Sequence, residues 1–108
     1  MRIRQWEIWK ATPPGFETDH WFVIVSGQER LDSPKHHQIN GLACYTLRGE
    51  LLPSDVRLNA AEAFAAPTAC QCDLLWFLDK RKLQSSQGMV SWERQQAIKS
   101  KLREVFRL

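Results

Sequence analysis

Four side chains in this sequence have the chemistry for proton transfer beside an anion: His20, Thr46, Asp73 and Arg48. The His20 imidazole has an ordinary pKa of about 6.5, so it can give or take a proton near neutrality. The Thr46 hydroxyl can hold a phosphate oxygen by hydrogen bond. Asp73 can orient an imidazole or act as a base. Arg48 stands two residues past Thr46; if the strand continues, it shares that face and brings a permanent positive charge. Each also has a plainer reading. They are, in turn, a partly exposed polar residue at a strand start, a β-branched strand residue, a carboxylate paired with lysine or capping a turn, and a solvated arginine beside Gly49.

A second group combines aromatic and basic side chains. Trp76-Phe77 beside Lys80, Arg81 and Lys82 has the makings of a base-stacking platform with phosphate contacts. The competing reading packs the aromatics in the core or an interface and leaves the basic turn to solvent. Packing is the expectation for Phe77, and both readings stay open for Trp76. Cys70-x-Cys72 with His36-His37 raises the question of a metal. The C-x-C spacing is not that of a zinc knuckle, and no second Cys/His pair completes a tetrahedron. Buried core thiols are expected, with no metal and no cofactor. Cys44 lies in an apolar strand, which argues against a catalytic thiolate.

The elements that position these residues can be read from the pattern. Trp21-Phe22-Val23-Ile24-Val25-Ser26 is the longest apolar run and predicts a central strand covered on both faces. Its entrance, Glu17-Thr18-Asp19-His20, is polar. Residues 3–11 predict a first strand, with Trp6 and Ile8 on one face and Trp9 on the other; Pro13-Pro14 ends it and an antiparallel pairing follows. Residues 26–39 predict a long polar loop with room for one helical turn. Ile39–Leu47 predicts a third strand, with Leu42, Cys44 and Thr46 opposite Ala43, Tyr45 and Leu47. Leu51-Leu52 and Asp55–Leu58 predict a short strand interrupted by Pro53. Asn59 is placed to cap a helix over Ala60–Ala66. Thr68–Leu75 predicts another strand, after which Trp76–Leu83 leaves the sheet, Gln84–Gly88 is loop and Met89-Val90 adds a short strand. Ser91 is expected to cap a terminal helix whose stripe is Ile98, Leu102, Val105 and Phe106.

Composition narrows the class. At 108 residues with 44% hydrophobic content and five tryptophans, the chain is expected to form one domain over 1–108 and not to be disordered. No apolar run is long enough for a membrane span, and no signal peptide is expected. Three cysteines make no disulfide framework, which points to the cytoplasm. The net charge of +3 is a mild bias toward anionic partners. Residues 91–108 hold five basic residues against two acidic ones. That is either a nucleic-acid or acidic-peptide face, or a solvated one.

The order of these pieces resembles the MazF/PemK/Kid family of toxin ribonucleases from toxin–antitoxin systems. Glu7-Ile8-Trp9 is similar to its opening E-I-W, and Phe22-Val23-Ile24-Val25-Ser26 to its second strand. Cys72-Asp73 followed by Leu78-Asp79-Lys80 and Leu83 is similar to its C-D…L-D-K-x-x-L segment. Gly88-Met89-Val90-Ser91 is similar to its G-x-L-S. The resemblance implies an SH3-like small antiparallel β-barrel of five to seven strands with a C-terminal helix and one or two short helices. It also implies a homodimer, a cognate antitoxin peptide and metal-independent cleavage of single-stranded RNA. A gyrase-poisoning toxin, CcdB, shares that fold, so fold alone does not fix the target.

The sequence departs from the family at its centre. His20-Trp21 replaces an R-P whose arginine is catalytic. Cys44 replaces a proline, while the hydroxyl residue remains as Thr46. Gln71-Cys72-Asp73 replaces R-C-D, and Leu74-Leu75-Trp76 replaces a polar Q-x-R. The resemblance therefore implies an altered centre on His20, Thr46 and Asp73, with Arg48, Trp76, Lys80 and Arg81 on the RNA. The alternative is a catalytically inactive relative that still recognises RNA, an antitoxin or gyrase.

Overall fold

The computed structural model describes residues 2–108. Seven strands form one antiparallel sheet curled into a half-barrel: β1 (Glu7–Ala11), β2 (His20–Ile24), β3 (Gln38–Thr46), β4 (Asp55–Leu58), β5 (Thr68–Gln71), β6 (Trp76–Asp79) and β7 (Ser85–Met89). The order across it is β4-β5-β3-β2-β1-β7, with β6 paired to β3 off that path. Two helices complete the chain, α1 (Gln28–Asp32) and α2 (Trp92–Phe106), with 3-10 turns at Ala60–Glu62 and Lys80–Lys82.

The apolar run is central, as its composition requires. β2 lies between β1 and β3, and Phe22, Val23 and Ile24 are buried. Side-chain alternation sends them to two apolar clusters, one on each face. Val23 joins Trp6, Ile8, Leu42, Cys44 and Ile98 on the first face. Phe22 and Ile24 join Trp9, Ile39, Leu78 and Leu83 on the second. Strand β3 is long enough for two partners on one edge: residues 44–46 pair with β5 and residues 38–41 with β6. Gly41 is the β3 residue that pairs with Trp76 at the start of β6. A Cβ there would stand 2.8 Å from Leu78 Cδ1 and 3.1 Å from Phe22 Cβ.

Several expectations are corrected. Residues 76–79 do not leave the sheet but turn back as β6, because the start of β3 has an open edge that they pair. The polar stretch expected as loop is β7, which pairs β1. It carries no hydrophobic signal because both of its faces are largely exposed. Leu51 and Leu52 are exposed and outside any strand. The helix expected over Ala60–Ala66 is a single 3-10 turn: Asn59 caps it as expected, but Ala63 enters the left-handed region at φ 65° and ends it. Glu62 explains the early stop. Its carboxylate is buried and accepts from Asn59 N at 3.0 Å and Ser91 N at 3.1 Å, tying the turn to the start of α2. Ser91 precedes α2 as expected, though its hydroxyl makes no cap hydrogen bond. Ile98 is the buried anchor of the α2 stripe, whereas Phe106 is exposed. No described helix is long and apolar enough to cross a membrane.

Candidate active site

The site begins with the register of four strands. Lys10 faces Trp21, Trp21 faces Cys44 and Cys44 faces Cys70, so these side chains form one row on the first face. One step along β3 on the same face, Thr46 pairs directly with Thr68 of β5. Extending the β2–β3 register places Asp19, just before β2, opposite Thr46. A cavity of about 400 Å³ opens there, walled by Trp21, Cys44, Thr46, Phe64 and Thr68. His20 and Tyr45 also border it, but they occupy the alternate positions of β2 and β3. Their side chains therefore leave toward the second face.

The surroundings of His20 agree with that placement. Its Nε2 lies 3.3 Å from Thr18 Oγ1. Its ring meets Phe16 edge-on at 5.9 Å, Phe16 meets Trp76 at 5.2 Å, and Trp76 meets Phe22 of the second-face cluster at 6.0 Å. His20 and Thr46 thus reach one cavity from opposite sides of the sheet. Asp73 joins neither: it is exposed in the turn after β5 and does not line the cavity. The structure does not bring His20, Thr46 and Asp73 together as a triad.

On the second face Tyr45 donates its hydroxyl to Asp55 Oδ2 at 2.9 Å. Burial, with the hydrogen bond and charge of Asp55 added, pushes the Tyr45 phenol up to about 12. Asp55 is itself buried, and its Oδ1 has no partner among the described residues. This pair carried no sequence signal, because only the sheet register brings residues 45 and 55 together.

The remaining candidates are dispersed. Arg48 lies beyond the end of β3, exposed and without a hydrogen bond or ion pair among the described residues; the strand that would have aimed it at the cavity stops at Thr46. Lys80 is committed internally. Its ammonium donates to the carbonyls of Arg30 at 3.2 Å, Leu31 at 3.1 Å and Ser33 at 2.7 Å, closing the C-terminal end of α1. Arg81 grips Asp79 through Nε at 3.0 Å and a second nitrogen at 2.8 Å. That contact holds the Asp79 carboxyl well below the usual carboxylate range. Phe77, expected to pack, does not do so within this chain, and Trp76, for which both readings were open, does. Trp76 is half-buried against the second-face cluster, with its indole N–H unpartnered, whereas Phe77 is 65% exposed.

Cys44, Cys70 and Cys72 are free, buried and in one cluster. The neighbouring Cys44 and Cys72 thiols, reinforced by burial, raise the Cys70 pKa. His36 is exposed and lies 2.9 Å from Ser33 Oγ. Among the described residues no group of three His, Cys, Asp or Glu side chains is placed to hold a metal ion.

No protein-family model matches the sequence, and no curated protein matches it. Solved structures do match along the whole chain. The Mycobacterium tuberculosis toxin MazF-mt6 superposes with a TM-score of 0.78 at 17% identity, covering 94% of this chain and 97% of that one. The chain has the MazF-type toxin fold. A mycobacterial endoribonuclease in complex with its cognate antitoxin gives a TM-score of 0.78 at 15% identity, over 98% of this chain and 94% of that one. A mycobacterial endoribonuclease alone gives 0.78 at 16% identity, over 100% and 94%. Within this MazF-type fold the cavity beside Thr46 lies at the open ends of β2, β3 and β5, where loops rather than ladder bonds set access.

Proposed function

We propose that this chain is a toxin-like endoribonuclease that cleaves single-stranded RNA without a metal ion. The observation that carries the reading is the end-to-end fold shared with endoribonuclease toxins, taken together with a cavity at the strand ends bordered by both His20 and Thr46. In the proposed reaction the 2′-oxygen attacks the adjacent phosphorus and the bond from phosphorus to the 5′-oxygen breaks. A base takes the 2′-hydroxyl proton and an acid returns one to the leaving oxygen. Thr46, with Thr68 beside it, holds the phosphate. His20, at the rim, supplies the proton transfer, an imidazole being able both to give and to take a proton. Asp73 does not line the cavity and makes no hydrogen bond to His20 among the described residues, and it is left out of the mechanism.

A second reading is a binding protein on the same fold, without cleavage. One observation favours it: the His20 ring leaves from the face opposite Thr46 and is packed on Phe16. Both readings include a cognate antitoxin, a homodimer and a cytoplasmic setting. The exposed apolar surface of Leu74, Leu75, Phe106 and Leu108 supports a protein partner. The deciding experiment is incubation with a long single-stranded RNA in EDTA, alongside His20→Ala and Thr46→Ala. Discrete fragments that vanish in both variants establish metal-independent cleavage at this cavity. Retention of RNA without fragments selects the binding reading.

A further inference from the structure

We propose that Lys10 is the cation that meets the phosphate at Thr46, a role that rests on the RNA reading above. Three observations place it there. Register puts Lys10 on the same face as Trp21, Cys44 and Thr46, whereas His20 is on the other. Its ammonium lies 5.9 Å from the centroid of the Trp21 ring, which walls the cavity. And it donates no hydrogen bond among the described residues, in contrast to Lys80, whose ammonium donates to three carbonyls.

The one anion near Lys10 does not consume it. Asp19 Oδ1 already accepts from the Gln84 amide at 2.8 Å and from the Thr12 hydroxyl, and Lys10 approaches Oδ2 only to 4.0 Å. A pair at that distance, 40% and 36% exposed, is loose and yields to a doubly accepting phosphate. The Trp21 face steadies the ammonium without using its N–H groups. As the 2′-oxygen attacks and the 5′-oxygen departs, negative charge grows on the non-bridging oxygens. Lys10 meets that charge with its free donors. Lys10 stands beside the cavity rather than in its wall, held there by Trp21 and by its approach to Asp19, both of which line it. Arg48 follows the strand end and touches no lining residue by ion pair or hydrogen bond among the described residues, and Lys80 and Arg81 are spent on α1 and Asp79.

The test compares wild type, Lys10→Met, Lys10→Arg and Arg48→Met. The binding probe is a single-stranded DNA oligonucleotide, which lacks the 2′-hydroxyl and so is bound uncleaved. Lys10→Met is expected to reduce the slope of log affinity against log salt by about 0.7, the loss of one phosphate contact. On RNA it is expected to lower kcat by roughly 10²–10³-fold. Lys10→Arg is expected to keep the slope and restore most of kcat, and Arg48→Met to change neither. If wild type binds but cuts no RNA while Lys10→Met still loses slope, the Lys10 site stands and the ribonuclease reading falls. An unchanged slope in Lys10→Met of normal melting temperature, a slope lost in Arg48→Met instead, or no salt-dependent binding by wild type overturns the proposal.

Discussion

His20 and Thr46 border the same cavity at the ends of β2 and β3, yet their side chains leave from opposite faces of the sheet. The register makes Trp21 the partner of Cys44, so His20 falls opposite Tyr45 and shares its direction, not that of Thr46. Two groups acting on one phosphate lose activity non-additively when both are removed. Groups engaging RNA from opposite sides share no partner, and their effects add to within about 0.5 kcal/mol. The ribonuclease reading therefore expects the double variant His20→Ala/Thr46→Ala to lose much less kcat than the sum of the single-variant losses, whereas the binding reading expects their effects on RNA affinity to add. Strong non-additivity in that cycle would mean that RNA binding rearranges the strand ends and brings the two groups together.

Lys80 is a structural residue in this fold. Its three carbonyl contacts close α1, so Lys80→Met is expected to cost about 1–3 kcal/mol in denaturant unfolding. The salt dependence of oligonucleotide binding should stay at the wild-type value. A stable Lys80→Met protein with weakened binding would return this lysine to the nucleic-acid surface.

The molecule has one tyrosine, so its ultraviolet titration reports Tyr45 alone. Held by burial and by Asp55, the phenol is expected to ionise near 12, not at the ordinary 10.0. The folded pKa is raised. The stability that Tyr45 contributes is therefore fully present below about pH 10 and is lost as pH rises from there through 12, because the unfolded chain releases its proton first. Asp55→Asn should move the midpoint back toward 10. A wild-type midpoint already at 10 would contradict the Tyr45–Asp55 contact.

Asp79 gives the opposite sign. Its folded pKa lies below the unfolded 3.8, so the stability it contributes is present at neutral pH and is lost as pH falls below 3.8 through the folded pKa. Thermal melts of wild type and Asp79→Asn should differ at pH 7 and converge in strong acid. A gap that persists there would show that Asp79 acts through something other than its charge on Arg81.

Gly41→Ala tests the packing where β6 pairs with β3. The added methyl meets Leu78 and Phe22, both buried, so a packed side chain must shift to admit it. The expected cost is about 1–3 kcal/mol, read as a melting temperature lower by roughly 4–8 °C per kcal/mol. An unchanged melt would mean that Leu78 repacks freely.

Local chemistry made some of this legible. The β-branched and aromatic run 21–26 called for a strand buried on both sides, the 3.6-residue stripe for α2, and Asn59 for a cap; each signal lies within a few neighbouring residues. The order of these pieces also carried the resemblance that the fold likeness supports. What lay between distant residues was not legible. Strand β7 is polar and exposed and exists because β1 has an edge to pair. Strand β6 belongs to the sheet because the start of β3 accepts it.

The candidate site divides in the same way. The sequence by itself determined that an imidazole, a hydroxyl, a carboxylate and several cations were available, and that His20 and Thr46 stood at strand ends. Only the tertiary structure decided which of them share a face. Side chains alternate with a period of two, so one step of register exchanges inside for outside, and no local pattern fixes register between strands separated by a loop. Pairing across the sheet set Lys10 beside Trp21 and on the Thr46 face, turned His20 to the other, left Asp73 outside, and spent Lys80 on the end of α1.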